Sequence, residues 1–143
     1  MASFAAQVLK FTDDAKENAG MIFAGAVNKL EREIKLNRKT GGGLTPADTG
    51  NLIRSIVLST TAMPKVDTEL KEYPSVEFTI LPSHIGNPVY LGVQAVYGVR
   101  QNYGFVGTDS LGRTYNQAGA FFVEGAGAKW EQFVKEAERE FGE

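Results

Sequence analysis

The side chains that could perform acid–base or metal chemistry are few in this sequence, and they are scattered. His84 is the single histidine and sits in a turn among Pro82, Gly86 and Pro88. A general base needs an orienting partner and a cleft, so His84 reads as a surface turn residue. Asp48, Asp67, Asp109 and Glu124 are isolated carboxylates, and no spacing sets two of them on one helical face for paired acid–base work. Ser55, Ser59, Ser83 and Ser110 lack the Gly-x-Ser-x-Gly elbow of an activated nucleophile. Gly104, Gly107 and Gly112 do not have the spacing of a dinucleotide fingerprint, and Gly41 to Gly43 are not followed by the Lys and Ser or Thr of a phosphate-binding loop. With no cysteine in the chain, disulfides, thiolate metal sites and cysteine nucleophiles are excluded. The chemistry-bearing residues thus point away from an enzyme, and no cofactor or metal is expected.

Composition agrees with a protein that acts through its shape. The chain has 143 residues, which suits one domain, and it is 43% hydrophobic and 22% charged with a net charge of −2. This balance exerts no general attraction on nucleic acid. The densest basic stretch, Lys29, Arg32, Lys35, Arg38 and Lys39, is interrupted by Glu31 and Glu33 and has no aromatic residue interleaved for base stacking. It reads as a solvated helix end. No segment approaches the roughly 20 apolar residues that span a bilayer. Charges from Lys10 to Glu17 interrupt the stretch where a secretion signal would need its apolar run. The expected setting is therefore the cytoplasm of the producing cell, or release on its lysis.

Residues 3 to 37 read as one long helix. Phe4, Val8, Phe11, Ala15, Ala19, Ile22, Ala26, Leu30 and Ile34 recur at steps of three or four, which is the spacing of one helical face. Ser3 is placed to cap it, and Gly41 to Gly43 end it. Lys29 with Glu33, and Glu31 with Lys35, are opposite charges four apart on the solvated side. The apolar stripe is read as a core stripe, with a shared partner helix as the alternative. In the turn that follows, either Thr45 could cap with Pro46 at the first helical position, or Asp48 could cap a short helix through Leu52 and Ile53. Residues 56 to 62 form a β-branched, strand-like run, and residues 64 to 74 form a charged loop bounded by Pro64 and Pro74. Val76, Phe78 and Ile80 alternate with polar residues as a half-buried strand does, and a strand follows over 89 to 97. Residues 99 to 105 extend that strand or start another, and residues 106 to 118 read as a polar loop. A final helix from about Ala120 presents Phe122, Ala126, Trp130, Phe133, Ala137 and Phe141 on one face, with Glu131 and Lys135 four apart. The predicted fold is a single α+β domain over residues 1 to 143. An antiparallel sheet of about four strands packs against the long N-terminal helix and the C-terminal helix.

Three short segments carry a resemblance. The first is Pro46-x-Asp48-Thr49-Gly50-x-Leu52-x-x-Ser55-Ile56 after a long helix. The second is Tyr97-Gly98-x-x-Gln101-Asn102-Tyr103-Gly104. The third is Gly119-Ala120-Phe121-Phe122-Val123 leading to Ala126 and a last helix. In this order the chain resembles the tail-completion, or head–tail joining, family of long-tailed bacteriophages from about residue 5 to 140. It departs from that pattern at Asn102, where the family usually carries Glu, and at Ala120, where it often carries Pro.

The resemblance implies a non-enzymatic virion protein that completes or terminates the tail and joins it to the head. Its copies would form a ring, often of six, that contacts the tail tube protein and the head connector or neck proteins. DNA would pass through without specific binding. The alternatives are another minor tail or capsid component, or a small ligand-binding or hydrolytic domain. The residues singled out as turn or interface candidates are Asp48, Thr49, Gly50, Leu52, Tyr97, Tyr103, Gly104, Phe105 and Phe121. The candidate contact loops are residues 40–50, 64–74 and 104–118.

Overall fold

A computed structural model describes residues 3–39, 41–46, 50–74 and 78–141. Helix α1 spans Phe4–Ile34. The Ser3 side chain accepts a hydrogen bond from the Ala6 N–H at 3.1 Å, which is the expected cap satisfying one of the helix's unpaired donors. The apolar stripe splits into two halves. From Gly20 onward, α1 buries Ala24, Ala26, Val27 and Ile34, whereas every residue from Phe4 to Glu17 is exposed. The expectation of a continuous core stripe therefore fails for the first half. Sequence periodicity defines an apolar face, but the covering element must come from elsewhere in the fold.

Helix α5 (Trp130–Phe141) supplies that cover for the second half. Ala26, Phe133 and Ala137 form one buried cluster, flanked by Ile22, Leu30 and Phe141. The two helices run antiparallel. Lys129 pairs with Glu33, Lys29 pairs with Glu140 at 2.8 Å, and Phe141 lies against Gly25. Glu31 and Lys35 make the expected four-apart pair at 3.0 Å. The expected Lys29–Glu33 pair is replaced by these contacts to the C-terminal segment, because both side chains meet a closer opposite charge there. Helix α4 (Phe122–Gly127) precedes α5. The final helix is thus interrupted at Ala128 and Lys129, where Phe122 and Ala126 turn toward a second core cluster with Ile34, Leu52, Ile56, Tyr73 and Ala95.

At the end of α1, Thr45 is fully buried and its hydroxyl donates to the Ile34 carbonyl. It serves the C-terminus of the first helix and does not cap the next one. Helix α2 (Asn51–Arg54) starts instead from Gly50, in the left-handed conformation at φ 78° and without a side-chain cap. The other capping candidate, Asp48, lies outside the described residues.

Strand β1 (Ile56–Ser59) pairs antiparallel with β2 (Tyr90–Val93), in the register Ile56↔Val93 to Ser59↔Tyr90. Both lie inside the expected strand runs. The strand expected at 76–80 does not form over its described residues. Val76 falls outside the described residues, and Phe78 to Ile80 join no ladder. Ile80 is nonetheless buried among Ala24, Val27 and Leu58. Its backbone is paired to a helix side chain: Asn28 Oδ1 accepts from the Ile80 N–H and Asn28 Nδ2 donates to the Ile80 carbonyl, both at 3.1 Å. Beyond it, the turn Pro82–His84 packs against α1 so closely that a Cβ on Gly20 would lie 2.5 Å from the Pro82 oxygen.

After β2 the chain departs most from its sequence reading. Gly98–Tyr103 is a helix, α3, and not a strand. The supposed polar loop is a β-hairpin, in which β3 (Gly104–Thr108) pairs with β4 (Thr114–Ala118). The class is α+β as expected, but the four strands form two separate two-stranded antiparallel sheets. No described helix is long and apolar enough to cross a membrane.

Asn28 is the residue whose loss tests this architecture. Asn28→Ala leaves the buried Ile80 amide and carbonyl unpartnered, and is expected to lower the unfolding free energy by about 1–3 kcal/mol. Asn28→Asp keeps the acceptor but loses the donor, and should also destabilise. Urea denaturation monitored through Trp130 fluorescence measures both variants.

Candidate interaction site

The seven candidate residues that the structure describes fall into two clusters, and asparagine amides link the motifs within each. Leu52 is buried in the core and Gly50 opens α2 beside it. Asn51, between them, is 8% exposed. Its Oδ1 accepts from the Tyr73 N–H at 2.7 Å, and its Nδ2 donates to the Lys71 carbonyl and to the Tyr97 hydroxyl, each at 3.1 Å. Arg54 Nε donates to the Tyr73 carbonyl at 2.8 Å. The Tyr73 hydroxyl donates to the carbonyls of Asp67 and Gln94. Burial first, and Asp67 second, raise the Tyr73 pKa above its ordinary value. Residues 64–74 are therefore only partly the exposed loop expected, since Tyr73 is a core residue that anchors them. Tyr97, expected at an interface, is half-buried and spends its hydroxyl on Asn51. Asp48 and Thr49 lie outside the described residues.

The second cluster joins the end of α3, the base of the hairpin and the start of α4. The backbone N–H groups of Ala120 and Phe121 donate to the carbonyls of Gln101 and Asn102, both at 2.9 Å. Asn102, 3% exposed, accepts from the Val123 N–H through Oδ1 at 3.0 Å. Its Nδ2 donates to both Glu124 oxygens, at 3.1 and 2.8 Å. The strands come so close here that a Cβ on Gly104 would lie 2.5 Å from the Gln117 oxygen, and one on Gly119 would lie 2.5 Å from the Asn102 oxygen. Only glycine fits at either position. The presence of Asn and not Glu at position 102 thus has a physical reading. A glutamate there would set a second carboxylate against Glu124 and remove the donor that now binds it.

Phe121 stands on this node with φ 50°, the single non-glycine residue in the left-handed region among those described. A backbone of this kind costs energy and persists only where its surroundings hold it. Here the Phe121 N–H is bound by Asn102, and its carbonyl accepts from Gly125 at 2.8 Å. Its ring remains half-exposed and meets the exposed Tyr103 ring edge-on, at 6.2 Å between centroids. Val99, Val106 and Val123 are exposed as well. Phe105 is half-buried, with the Arg100 guanidinium 4.1 Å from its ring centre and Tyr115 beyond it. Exposed aromatic and apolar side chains on a rigid support, as in the Tyr103–Phe121 pair, are the composition that protein interfaces favour.

The hairpin tip is equally specified. Asp109 accepts from the backbone N–H of Leu111 and of Arg113 at 2.9 Å each, from Arg113 Nε at 2.6 Å and from the Tyr115 hydroxyl at 3.0 Å. Burial raises the Asp109 pKa, and the bonds from Arg113, Tyr115 and Leu111 outweigh it, so the carboxyl lies below its ordinary value. Sequence reading missed this hairpin. The signal was present in Asp109 and Gly112 flanking the turn.

His84 is a turn residue, as expected: its Nδ1 accepts from the Leu81 N–H at 2.9 Å and its ring stacks on Phe78. Among the described residues, no group of three His, Asp or Glu side chains is placed to hold a metal ion. A cavity of about 200 Å³ lies between Leu44, Phe122, Gly125 and Lys129, smaller than the ~300–1,000 Å³ of small-molecule sites, and an open groove of about 530 Å³ along Glu131, Gln132, Lys135 and Arg139 lacks their mostly apolar lining. No family model matches the chain, and neither a curated protein nor a solved structure matches it.

Glu124 makes the node sensitive to acid. Hydrogen bonds from the Tyr103 hydroxyl, then from the Asn102 amide, hold its carboxyl below the ordinary 4.5. The folded state therefore binds its proton less readily than the unfolded chain does. The resulting stabilisation is complete above pH 4.5 and is lost as pH falls through the folded value. The stability advantage of the wild type over Glu124→Gln should accordingly be constant near neutrality and shrink below pH 4.5, as measured by thermal unfolding across that range.

Proposed function

We propose that this chain is a structural protein of a long-tailed bacteriophage virion. It completes or terminates the tail and joins it to the head as a closed ring, six-fold in the form the resemblance implies, through which DNA passes. Its partners are further copies of itself, the tail tube protein and the head connector or neck proteins. It carries out no catalysis.

One observation supports this reading above the rest: the three segments that carry the resemblance touch one another. Asn51 of the first bonds Tyr97 of the second, and Asn102 of the second bonds Phe121 and Val123 of the third. Segments 46–56, 97–104 and 119–123 are distant in sequence, so a shared pattern in all three is what one structural unit would produce. That unit also supports a hairpin and an exposed aromatic pair. A ring subunit needs such rigid, projecting contacts, because identical contacts between unlike patches close only if their geometry is fixed.

The test is electron microscopy of the purified protein mixed with tail tubes of the virus whose genome carries it. The expected result is a hollow ring of uniform diameter at one end of each tube. Val106→Asp with Phe121→Asp should abolish end binding while leaving the fold intact. Tubes with bare ends, or with protein scattered along their length, would remove the tail-end role.

A further inference from the structure

We propose that two copies of this chain pair antiparallel through the first half of α1. This goes beyond the tail-end reading and stands independently of it. The residues from Phe4 to Glu17 form about four turns of helix, close to 21 Å, all exposed. An isolated helix of this length is marginal in water unless its apolar face is covered. Phe4 and Phe11 are 82% and 75% exposed, with Val8 between them on the same face.

The covering element continues a seam that the fold already contains. α5 lies antiparallel on the second half of the same stripe and ends where Phe141 meets Gly25. Beyond that point the stripe runs on uncovered as Ala15, Phe11, Val8 and Phe4. The stripe is bulky at one end and small at the other, which makes it complementary to its own reverse. Phe4, Val8, Phe11 and Ala15 follow the alternating four-and-three spacing of a helix seam. Turning a second copy end for end sets Phe4 over Ala15, Val8 over Phe11, and the reverse pairs symmetrically. Beside the seam, Gln7 then faces Asp14 and Ala5 faces Thr12, so no like charges oppose each other.

The area suffices. An aromatic side chain buries roughly 150–250 Å². The four phenylalanines of a pair therefore supply roughly 600–1,000 Å², and Val8 and Ala15 from both copies bring the contact toward the ~1,000 Å² at which specific association begins. Such a contact is two-fold and self-complementary, and cannot by itself close a ring. It is a second interface, separate from any ring contact.

The experiment is sedimentation equilibrium of the full chain. The wild type should fit a monomer–dimer equilibrium, and Phe11→Asp should raise the dimer dissociation constant by roughly 100-fold or more with an unchanged thermal melt of the body. Because the chain has no cysteine, a short thiol cross-linker reads the orientation. Gln7→Cys chains mixed with Asp14→Cys chains should cross-link to each other faster than either does to itself. Sedimentation as a monomer throughout, an oligomer indifferent to Phe11→Asp, or cross-linking dominated by like pairs would each overturn the proposal.

Discussion

Three asparagine side chains do in this fold what a larger sheet does in others. A carboxamide carries one acceptor and one donor group, as a peptide unit does. When aimed at an extended segment it can satisfy that segment's backbone as a neighbouring strand would. Asn28 on α1 binds both backbone groups of Ile80, Asn51 on α2 binds the N–H of Tyr73 and the carbonyl of Lys71, and Asn102 on α3 binds the N–H of Val123. The two sheets have only two strands each, and isolated pairs of strands are marginal in water. The irregular segments need partners, and helices supply them through these amides. Among the described residues, no buried side-chain nitrogen or oxygen lacks a hydrogen-bond partner.

The rest of the molecule follows from that arrangement. Tyr73 can enter the core because Asn51 and Arg54 hold its backbone. Ile80 can close the cluster under α1 because Asn28 holds it. Asn102 fixes the start of α4, and with it the unusual backbone of Phe121 and the direction of the hairpin. The ion pairs of Lys29 and Lys129 with Glu140 and Glu33 add alignment between α1 and α5. Partly exposed pairs of this kind contribute little stability, so apolar packing of Ala26, Phe133 and Ala137 carries that junction.

How much of this was legible in the sequence depended on whether the signal was local. The long helix, its Ser3 cap and the strands at 56 and 90 are written in periodicity and capping chemistry and formed where expected, whereas the apolar face of the last helix holds only from Trp130 to Phe141, because the break at Ala128 and Lys129 turns Phe122 and Ala126 to another cluster. Asn28, Asn51 and Asn102 looked like ordinary polar residues, because their role depends on segments 20 to 52 positions away. Helix α3 was missed because Val99 and Tyr103 favour strand locally, while Ala95 and the tight fit of Gly98 against Val93 impose the turn into helix. The strand expected around Phe78 had the right alternation and no strand to pair with. The stripe on α1 promised burial along its whole length, and the fold covers half. Of the candidate interface residues, Tyr103 and Phe121 proved exposed, whereas Leu52 belongs to the interior and Tyr97 is half-buried against it.

The most direct test of this account is amide hydrogen exchange of the wild-type chain, resolved to single residues. If asparagine amides replace a strand ladder, the N–H groups of Tyr73, Ile80 and Val123 should be protected to the same degree as those in the β1–β2 ladder, although none lies in a strand. Exchange of these three at the rate of an unstructured chain, with the ladder protected, would contradict it.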